Sequence, residues 1–359
     1  MEHGGLSRQQ ILAATGMSRG TLYQRLDTLA SLGFVYDAEQ LDTTGGRPAR
    51  RVRFEDRGRV VLAVDFGQTH VRVSVTDLDG QALRSASTAV QIADPAVLDA
   101  ALDLGAGLLA QAADERLVGV GVGMPATVDP ATGHVLHPTT ISGWRPDSVL
   151  VAVAARWAVP LVVENDARAA AVGESRPTDG TIVYVKLSTG LGCGIVVGGE
   201  VLRGAGGLAG DIGHVRVSPD GPLCRCGRVG CLAAYCSGRA LLARLGPRIE
   251  SLAGIVAAVQ TGDPAVLAEV GAAADVLGSA LATTVTTVNP HRLVLGGALG
   301  SLPVVVERVG ERVRDTVAER AWPVVEAGAL RQAATATGLA RLVVRHVFDP
   351  AAVDAAIEG

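Results

Sequence analysis

The hydrophobic positions of the chain follow a helical period near the N-terminus and a strand pattern farther along. Leu22, Leu26 and Leu29 recur at helical spacing, and Ile11 and Leu12 suit the buried side of a shorter helix before them. Two helices joined by a short turn that contains glycine form a helix-turn-helix, whose second helix enters the major groove of DNA. The pattern therefore predicts a helix-turn-helix at the N-terminus.

An arginine-rich turn follows the predicted helices. Four arginines surround a Gly-Gly-Arg-Pro sequence within residues 43–53, which is typical of a wing whose guanidinium groups meet DNA phosphates. The predicted DNA-contacting residues are Ser18, Arg19, Gly20, Tyr23, Gln24, Arg47, Arg50 and Arg51. Only five residues precede Leu6, so the helix that usually opens such a module is expected to be truncated. The alternative is a small helical cap with a solvated basic loop.

Beyond the first sixty residues, runs rich in β-branched residues alternate with turns rich in glycine, which predicts an α/β body. Strands are predicted at Val118–Gly123, Leu161–Val163 and Thr181–Lys186, and the segment Asn289–Ala298 indicates a strand that runs into a helix. Two glycine turns, each opening one half of the body, predict a duplicated fold with a nucleotide cleft between two lobes.

Glycine turns at three places can bring backbone amides close to a phosphate. The predicted nucleotide-contacting residues are Asp65, Gly67 and Thr69 in the first turn, Thr189, Gly190 and Gly192 in the second, and Gly296 and Gly297 in the third. Asp65 could also hold Mg²⁺ through water. The alternative for the first turn is an ordinary hairpin.

Two polar residues follow the predicted strand Leu161–Val163. Asn165 and Asp166 open a helix-forming run, where they suit a polyhydroxylated ligand because Asn both donates and accepts hydrogen bonds and Asp accepts them from hydroxyls. With a phosphate donor opposite, Asp166 could take the proton from an attacking hydroxyl. The alternative is that Asp166 only caps the helix.

Composition and charge narrow the function classes. Of 359 residues, 48% are hydrophobic and 19% charged, with a net charge of −4, which excludes binding of a polyanion by the whole chain. Nine Arg and seven acidic residues give the first sixty residues a charge of +2 and leave −6 for the remainder, so any DNA contact must be local. Lys186 is the single lysine, which indicates a GC-rich coding genome rather than a mechanism.

No segment of the sequence predicts a membrane protein. The apolar stretch Val276–Pro290 is too short and too rich in Thr to span a bilayer, and no basic leader with an apolar core opens the chain. We therefore expect a cytoplasmic protein without a membrane partner.

Three of the five cysteines lie within eight residues. Cys224, Cys226 and Cys231 follow His214 closely, and three thiolates with one imidazole complete the tetrahedral shell of a structural Zn²⁺ site. The alternative is a redox or merely buried cysteine group. Cys193 and Cys236 lie outside this set and are expected to be small core residues.

The motifs occur in the order DxGxT, GxGxP, ENDA, TGxGxG, DxGH, CxCGxxGC and NPHRLVLGG over residues 60–348. In this order they resemble the ROK family, which groups sugar kinases with sugar-responsive transcriptional repressors. The resemblance implies an α/β effector domain of the duplicated actin-like, hexokinase-like fold. It also implies that the preceding helices and wing form the winged helix-turn-helix of the regulator branch.

The resemblance further implies roles for polar residues of the body. Asn165, Asp166, Asp211 and His214 would contact the sugar effector. His214 would in addition ligate zinc with the three clustered cysteines, and Asp166 would be the catalytic base of a kinase.

The chain departs from the family's kinases at several positions around the predicted sugar and phosphate sites. Ala233 stands where the kinases have a sugar-binding Glu, Asp211 replaces a longer Glu, and Ala126 replaces a Gly. Gln68 and His70 replace the Gly and Lys of the kinase phosphate turn. Loss of a hydroxyl contact removes about 1 to 3 kcal/mol, so these departures weaken the case for a kinase.

The sequence thus predicts a winged helix-turn-helix at residues 1–58 and an effector domain at 59–359, with lobes at about 59–178 and 179–359. The leading hypothesis is a transcriptional regulator of carbohydrate metabolism, a repressor that binds operator DNA and a sugar or sugar phosphate as a homodimer or homotetramer. The first alternative is a glucokinase-like kinase of hexoses or N-acetylhexosamines that uses ATP and Mg²⁺. The second is a zinc-stabilised sugar-binding protein with neither activity.

Overall fold

The computed structural model describes residues 5–38, 50–136 and 143–358. The chain divides into two compact units, one made of Met1–Arg59 with Arg345–Gly359 and the other of Val60–Val344. The first boundary lies next to the one predicted from the change in charge and pattern.

The first unit is a winged helix-turn-helix. Its N-terminal elements are β1 (Leu6–Ser7), α1 (Arg8–Thr15), α2 (Arg19–Ser31), β2 (Val35–Ala38) and β3 (Arg51–Phe54), with the strands in the order β1-β3-β2. Gly16 ends α1 with a φ of 66°, a conformation that glycine adopts without strain. Leu22 and Leu26 of α2 are buried with Val52 of the sheet. The predicted helix-turn-helix is confirmed.

The C-terminal segment belongs to this unit as well, whereas the sequence placed it in the effector domain. Phe348 packs edge-on against Phe34 and Phe54, with ring centroids 6.1 and 4.7 Å apart. Aromatic pairs in this geometry stabilise beyond the area that they bury. Hydrophobic periodicity gives no information on such a pairing, because its partners lie about 300 residues apart in sequence.

The second unit contains two five-stranded sheets of the same topology. The first consists of β4 (Arg59–Phe66), β5 (His70–Thr76), β6 (Ala82–Ala89), β7 (Arg116–Met124) and β10 (Leu161–Asn165), and β8 (Thr127–Val128) pairs with β9 (Val135–Leu136) beside it. The second consists of β11 (Thr181–Leu187), β12 (Leu191–Val197), β13 (Glu200–Val201), β14 (Arg292–Gly296) and β15 (Val324–Ala327). In each sheet the third, second, first, fourth and fifth strands lie side by side in that order. This repeat confirms the predicted duplicated α/β fold.

Helices cover the sheets and carry much of the core. In the second unit they are α3 (Ala96–Leu109), α4 (Ser148–Ala154), α5 (Asp166–Glu174), α6 (Ala233–Cys236), α7 (Gly238–Leu245), α8 (Leu252–Gln260), α9 (Pro264–Val288), α10 (Gly297–Gly300), α11 (Pro303–Thr316) and most of α12 (Ala334–Val347). The last helix, α13 (Pro350–Glu358), belongs to the first unit. Of the described helices, α9 alone is long and apolar enough to cross a membrane, and 50% of its most apolar window is buried inside the protein. Val270, Leu277 and Val285 pack into the core beside the second sheet, which makes α9 a core helix of this lobe.

Candidate functional site

One cavity in the second unit brings together residues from most of the polar motifs. Its volume of ≈ 780 Å³ lies in the range of small-molecule sites. The predicted site residues that line it are Gly67, Asn165, Asp166, Thr189, Gly190, Gly192, Asp211, His214, Cys224 and Cys226. The predicted sugar residues, the second phosphate turn and part of the metal cluster therefore share one cavity.

Four predicted nucleotide residues do not line this cavity, namely Asp65, Thr69, Gly296 and Gly297. Thr69 is exposed. A Cβ on Gly296 would lie 2.1 Å from the hydroxyl of Tyr184, and one on Gly297 would lie 2.4 Å from a backbone carbonyl oxygen of β11. The contact between β14 and β11 therefore accounts for both glycines, and their approach to a nucleotide stays a prediction.

Asn165 connects two segments of the cavity wall. Its Oδ1 accepts hydrogen bonds from the amides of Ala167 and Arg168 at 3.1 Å each, and its Nδ2 donates to the carbonyl of Ala126 at 3.1 Å. Asn165 is therefore the N-cap of α5, which corrects the alternative that gave this role to Asp166. Asp166 is the first helical residue, and its Oδ1 accepts from the amide of Ala167 at 2.8 Å.

Lys186 lies between two carboxylates, and we call Asp65, Asp166 and Lys186 the cleft triad. The Lys186 Nζ lies 2.8 Å from Asp166 Oδ2 and 3.8 Å from Asp65 Oδ1. Asp65 Oδ1 accepts no hydrogen bond from the described residues, so the ammonium charge is its compensation. The exposed fractions of the Lys186, Asp166 and Asp65 side chains are 19%, 13% and 10%. The lysine that the sequence analysis left without a role is thus central to the cavity.

Burial and pairing act against each other in this triad. Burial raises the pKa of Asp166, and the charge of Lys186 opposes that rise. Burial also disfavours the charged form of Lys186, but Asp166 and Asp65 together raise its pKa. The 2.8 Å contact between Lys186 and Asp166 is that of a charged, hydrogen-bonded pair.

Lys186 competes with a magnesium ion for the carboxylates of the cleft triad. Mg²⁺ is held by carboxylate oxygens, and the ammonium of Lys186 already serves those of Asp65 and Asp166. A divalent cation about 4 Å from this ammonium would meet a repulsion of about 8 kcal/mol at an effective dielectric constant of 20, which offsets part of the attraction that the two carboxylates exert on it. Gln68 also reaches across the second phosphate turn, since a Cβ on Gly190 would lie 3.0 Å from its Nε2.

A buried ionic network holds the segment that leads to Asp211. Glu164 accepts hydrogen bonds from the Nε atoms of Arg168 and Arg203 at 2.7 Å each, and Arg168 Nη1 donates to the carbonyl of Gly207 at 2.7 Å. The side chains of Glu164 and Arg168 are each 2% exposed. No motif in the sequence indicates this network, although an Arg within the alanine-rich start of a helix signals a buried charge that needs a partner.

The structure brings the four predicted metal ligands together. The ligand atoms of His214, Cys224, Cys226 and Cys231 all lie within 4.8 Å of one another. Two of the separations, from Cys224 Sγ to His214 Nδ1 and from Cys226 Sγ to Cys231 Sγ, are 3.6 Å. A tetrahedral ion with ligand bonds of about 2.3 Å separates its ligands by about 3.8 Å. The cluster therefore fits a tetrahedral metal ion, which it would hold with all four positions filled.

Glycine shapes the loop that carries these ligands. Gly230 has a φ of 77°, and a Cβ there would lie 1.8 Å from the carbonyl oxygen of Ser218. The amide of Cys224 donates to the carbonyl of Arg228 at 2.7 Å, which closes a tight turn between the ligands. Without a side chain at residue 230, the turn can pack directly on the backbone beside it.

The exposed face of α2 carries the residues predicted to read DNA bases. Arg19, Gly20, Tyr23 and Gln24 are exposed, and Tyr23 is 44% exposed. Ser18 is the N-cap of α2 and accepts a hydrogen bond from the amide of Thr21 at 3.2 Å. Arg51 is the first residue of β3 and Arg50 directly precedes it, and Arg47 lies outside the described residues. Contact of these residues with DNA stays a prediction.

The fold and site define a class of protein in which a winged helix-turn-helix shares a chain with a two-lobed, sugar-kinase-like domain that holds a metal-ligand cluster. The chain belongs to the ROK family, whose model matches residues 61–346.

Two relatives illustrate the two branches of similarity. The xylose repressor of Bacillus subtilis (strain 168) is 26% identical over 361 residues, which cover 97% of this chain and 94% of the repressor. The glucokinase of Streptomyces coelicolor is 35% identical over 187 residues, which cover 51% of this chain and 58% of the kinase. The similarity to the repressor thus extends over both units.

Solved structures repeat this division. A ROK family transcriptional regulator, described as a homologue of the E. coli MLC protein, matches with a TM-score of 0.83 at 22% identity, over 99% of this chain and 96% of its own. A ROK family glucokinase from Streptomyces griseus, in complex with glucose and AMPPNP, matches with a TM-score of 0.67 at 30% identity, over 79% of this chain and 98% of its own. At its low identity the first match supports the fold alone.

Proposed function

We propose that the protein is a DNA-binding transcriptional repressor of carbohydrate metabolism that responds to a sugar effector. The observation that carries this proposal is similarity to a repressor along 97% of the chain, including the unit with an exposed helix-turn-helix face. The operator would be bound by the first unit and the sugar by the cavity of the second. Coupling requires that the effector prefer one of two arrangements of the protein.

The cleft triad favours a regulator over a kinase. A general base must be free to take a proton from the attacking hydroxyl, whereas Asp166 is paired with Lys186 at 2.8 Å. Ala233 also lines the cavity without the carboxylate that a kinase of this family offers to its sugar. A cavity with these changes can still bind a sugar without transferring a phosphoryl group to it.

The remaining parts of the proposal concern the metal, the assembly and the location. The ion is Zn²⁺ in a structural role, because a closed Cys₃His shell leaves no position open for a substrate. The repressor acts as a homodimer or homotetramer on a palindromic operator, since protein symmetry then matches operator symmetry. It works in the cytoplasm, where its operator DNA is found.

Fluorescence anisotropy with DNA from upstream of the protein's own gene tests the regulator. We expect affinity at least about 10³-fold above that for random duplex, falling as salt is raised. Gln24→Ala should reduce this preference, by about 1 to 3 kcal/mol if the side chain reads a base. Gln81→Ala, an exposed Gln in the second unit, is the matched control and should change nothing. Equal affinity for random duplex at every salt concentration would refute the proposal.

A coupled assay of ADP release tests the kinase alternative. Across hexoses and N-acetylhexosamines, with ATP and Mg²⁺, we expect no turnover above background. Turnover that Asp166→Asn abolishes would show that the triad opens to release its carboxylate, and the kinase would then replace the regulator as the better reading of the cavity.

A further inference from the structure

The cavity contains a cation without a carboxylate partner. Arg239, the second residue of α7, lines the cavity and is half-buried. No carboxylate of the described residues pairs with its guanidinium. Burial lowers the pKa of Arg239, the positive charge of Arg225 lowers it further, and the Cys224 thiolate opposes this by raising it. A half-buried guanidinium beside another cation is unfavourable unless an anion reaches it.

The backbone beside Arg239 is already used, which leaves the side chain as the donor. The amide of Gly238 donates to the carbonyl of Ser188 at 2.8 Å, and the amide of Arg239 donates to the carbonyl of Thr189 at 3.2 Å. These bonds fix the beginning of α7 to the second phosphate turn. The Arg239 Nη2 donates to Gln68 Oε1, so the guanidinium is held over the turn by an uncharged partner.

Three other cations on the cavity wall have acidic partners. Lys186 is paired with Asp166, and Arg168 is paired with Glu164. Arg244 contacts Glu269 at 2.7 Å. Arg239 differs from these three because its printed side-chain partner is the uncharged Gln68, and it lies in the same cavity as the predicted sugar residues Asn165, Asp211 and His214.

We infer that Arg239 and Gln68, over the turn Ser188–Gly192, form an anion subsite, and that the effector joins a sugar ring to a phosphate or carboxylate group. The planar guanidinium suits both anions, because it donates two parallel hydrogen bonds to two oxygens. The triad supplies its own cation, so the anion binds directly to the protein and needs no divalent metal. This inference rests on the proposed sugar-responsive function and names the chemical class of the effector.

Calorimetric titration of the full chain with inorganic phosphate, at constant ionic strength and without divalent metal, is the direct test. We expect phosphate to bind and Arg239→Gln to weaken it about ten- to hundredfold, as for loss of a charged hydrogen-bond partner. Arg244→Gln, on the same helix but with its charge satisfied by Glu269, is the matched control and should bind phosphate as the wild type does. Arg239→Lys should restore part of the affinity, which separates loss of charge from misfolding.

Titration with glucose 6-phosphate, glucuronate and glucose separates the two sources of the anion. The wild type should bind at least one anionic sugar about tenfold or more tightly than glucose, and Arg239→Gln should remove this preference while glucose binding stays unchanged. Equal affinities of the wild type for all three, or a preference that survives in Arg239→Gln, would overturn the inference. Operator binding is measured separately, so a repressor released by a neutral sugar would refute the anion subsite and leave the proposed function standing.

Discussion

The metal cluster and the cleft triad lie in the same unit, but they obtain their cations differently. Four candidate ligands within residues 214–231 form the cluster, which would take its ion from solution. The triad joins Asp65, Asp166 and Lys186 from three separate elements, and its cation is part of the chain. With zinc as proposed, one site would depend on metal supply, whereas the other carries a fixed charge.

This difference bears on whether the cavity works as the predicted nucleotide cleft. The turn Ser188–Gly192 and both carboxylates are present, but the ammonium of Lys186 supplies the positive charge that a bound metal ion would supply in a nucleotide site. The cluster shows no comparable change, because its ligand set is complete. Removing the cation from each site in turn is therefore the most direct way to test the comparison.

Loss of the external cation should have the largest effect. Cys231→Ser removes one thiolate from the closed shell and should lower the free energy of unfolding by about 4 kcal/mol or more, as expected when a structural metal is lost. Metal analysis together with urea unfolding measures both consequences.

Cys236→Ser is the matched control for this substitution. Its thiol is buried and donates to the carbonyl of Leu232 at 3.2 Å, outside the cluster. We expect retained metal and a loss of about 1 kcal/mol. A wild type purified without metal, or a Cys231→Ser variant that keeps it, would contradict the structural metal site.

Loss of the internal cation should have the next largest effect. Lys186→Met keeps the length of the side chain but leaves two buried carboxylates without compensation, which should cost about 3 to 5 kcal/mol at pH 7. Lys186→Arg, which keeps the charge, should cost clearly less. Urea unfolding of the two variants at the same pH makes the comparison.

The deficit of Lys186→Met should depend on pH. Burial raises the folded-state pKa of Asp166 above its ordinary value of 3.8, so protonation stabilises the folded form and stability falls as pH rises through that pKa. The difference from the wild type should therefore be largest at neutral pH and shrink as the pH approaches 4. A deficit that is constant between pH 7 and pH 4 would show that the carboxylates do not depend on Lys186 for compensation.

The chain's single lysine allows its charge to be followed directly. With ¹³C-labelled lysine, NMR gives one Cε signal, which belongs to Lys186. Because the two carboxylates raise its pKa above 10.5, the signal should not titrate from pH 6 to pH 10. The stability that Lys186 contributes is then complete below pH 10.5 and is lost above it. A midpoint below pH 10 would mean that the triad does not hold the ammonium charged.

Local motifs made the fold and the cluster predictable. The strands near the ENDA and TGxGxG motifs and the helix-turn-helix were visible as hydrophobic periods, because each needs only neighbouring residues. The cluster was visible for the same reason, since close spacing forces the ligands together. The ENDA motif also predicted Asp166 as a site residue, but it did not predict Lys186, the residue that is paired with it.

The remaining features depend on contacts between distant segments. Lys186 belongs to no motif, and it meets two carboxylates only because its side chain in β11 reaches Asp65 near the end of β4 and Asp166 at the beginning of α5. Arg239 and Gln68 are 171 residues apart, and the bond between them could not be read from spacing. Charged groups that are buried by contacts between distant segments could therefore not be predicted from the sequence.

Glycine substitutions should have the smallest effects on stability. They test whether the turn Ser188–Gly192 is as rigid as the loop that carries the metal ligands. Gly227 has a φ of 83° with open space around it, so Gly227→Ala should cost about 1 to 2 kcal/mol through backbone strain. A Cβ on Gly190 would meet only the end of the Gln68 side chain, at 3.0 Å, which can move. Gly190→Ala should therefore change stability by less than about 0.5 kcal/mol, yet weaken phosphate binding because it shifts Gln68 from Arg239. Equal losses of stability in the two variants, with phosphate affinity unchanged, would mean that the turn is as fixed as the loop and that Gln68 takes no part in the anion subsite.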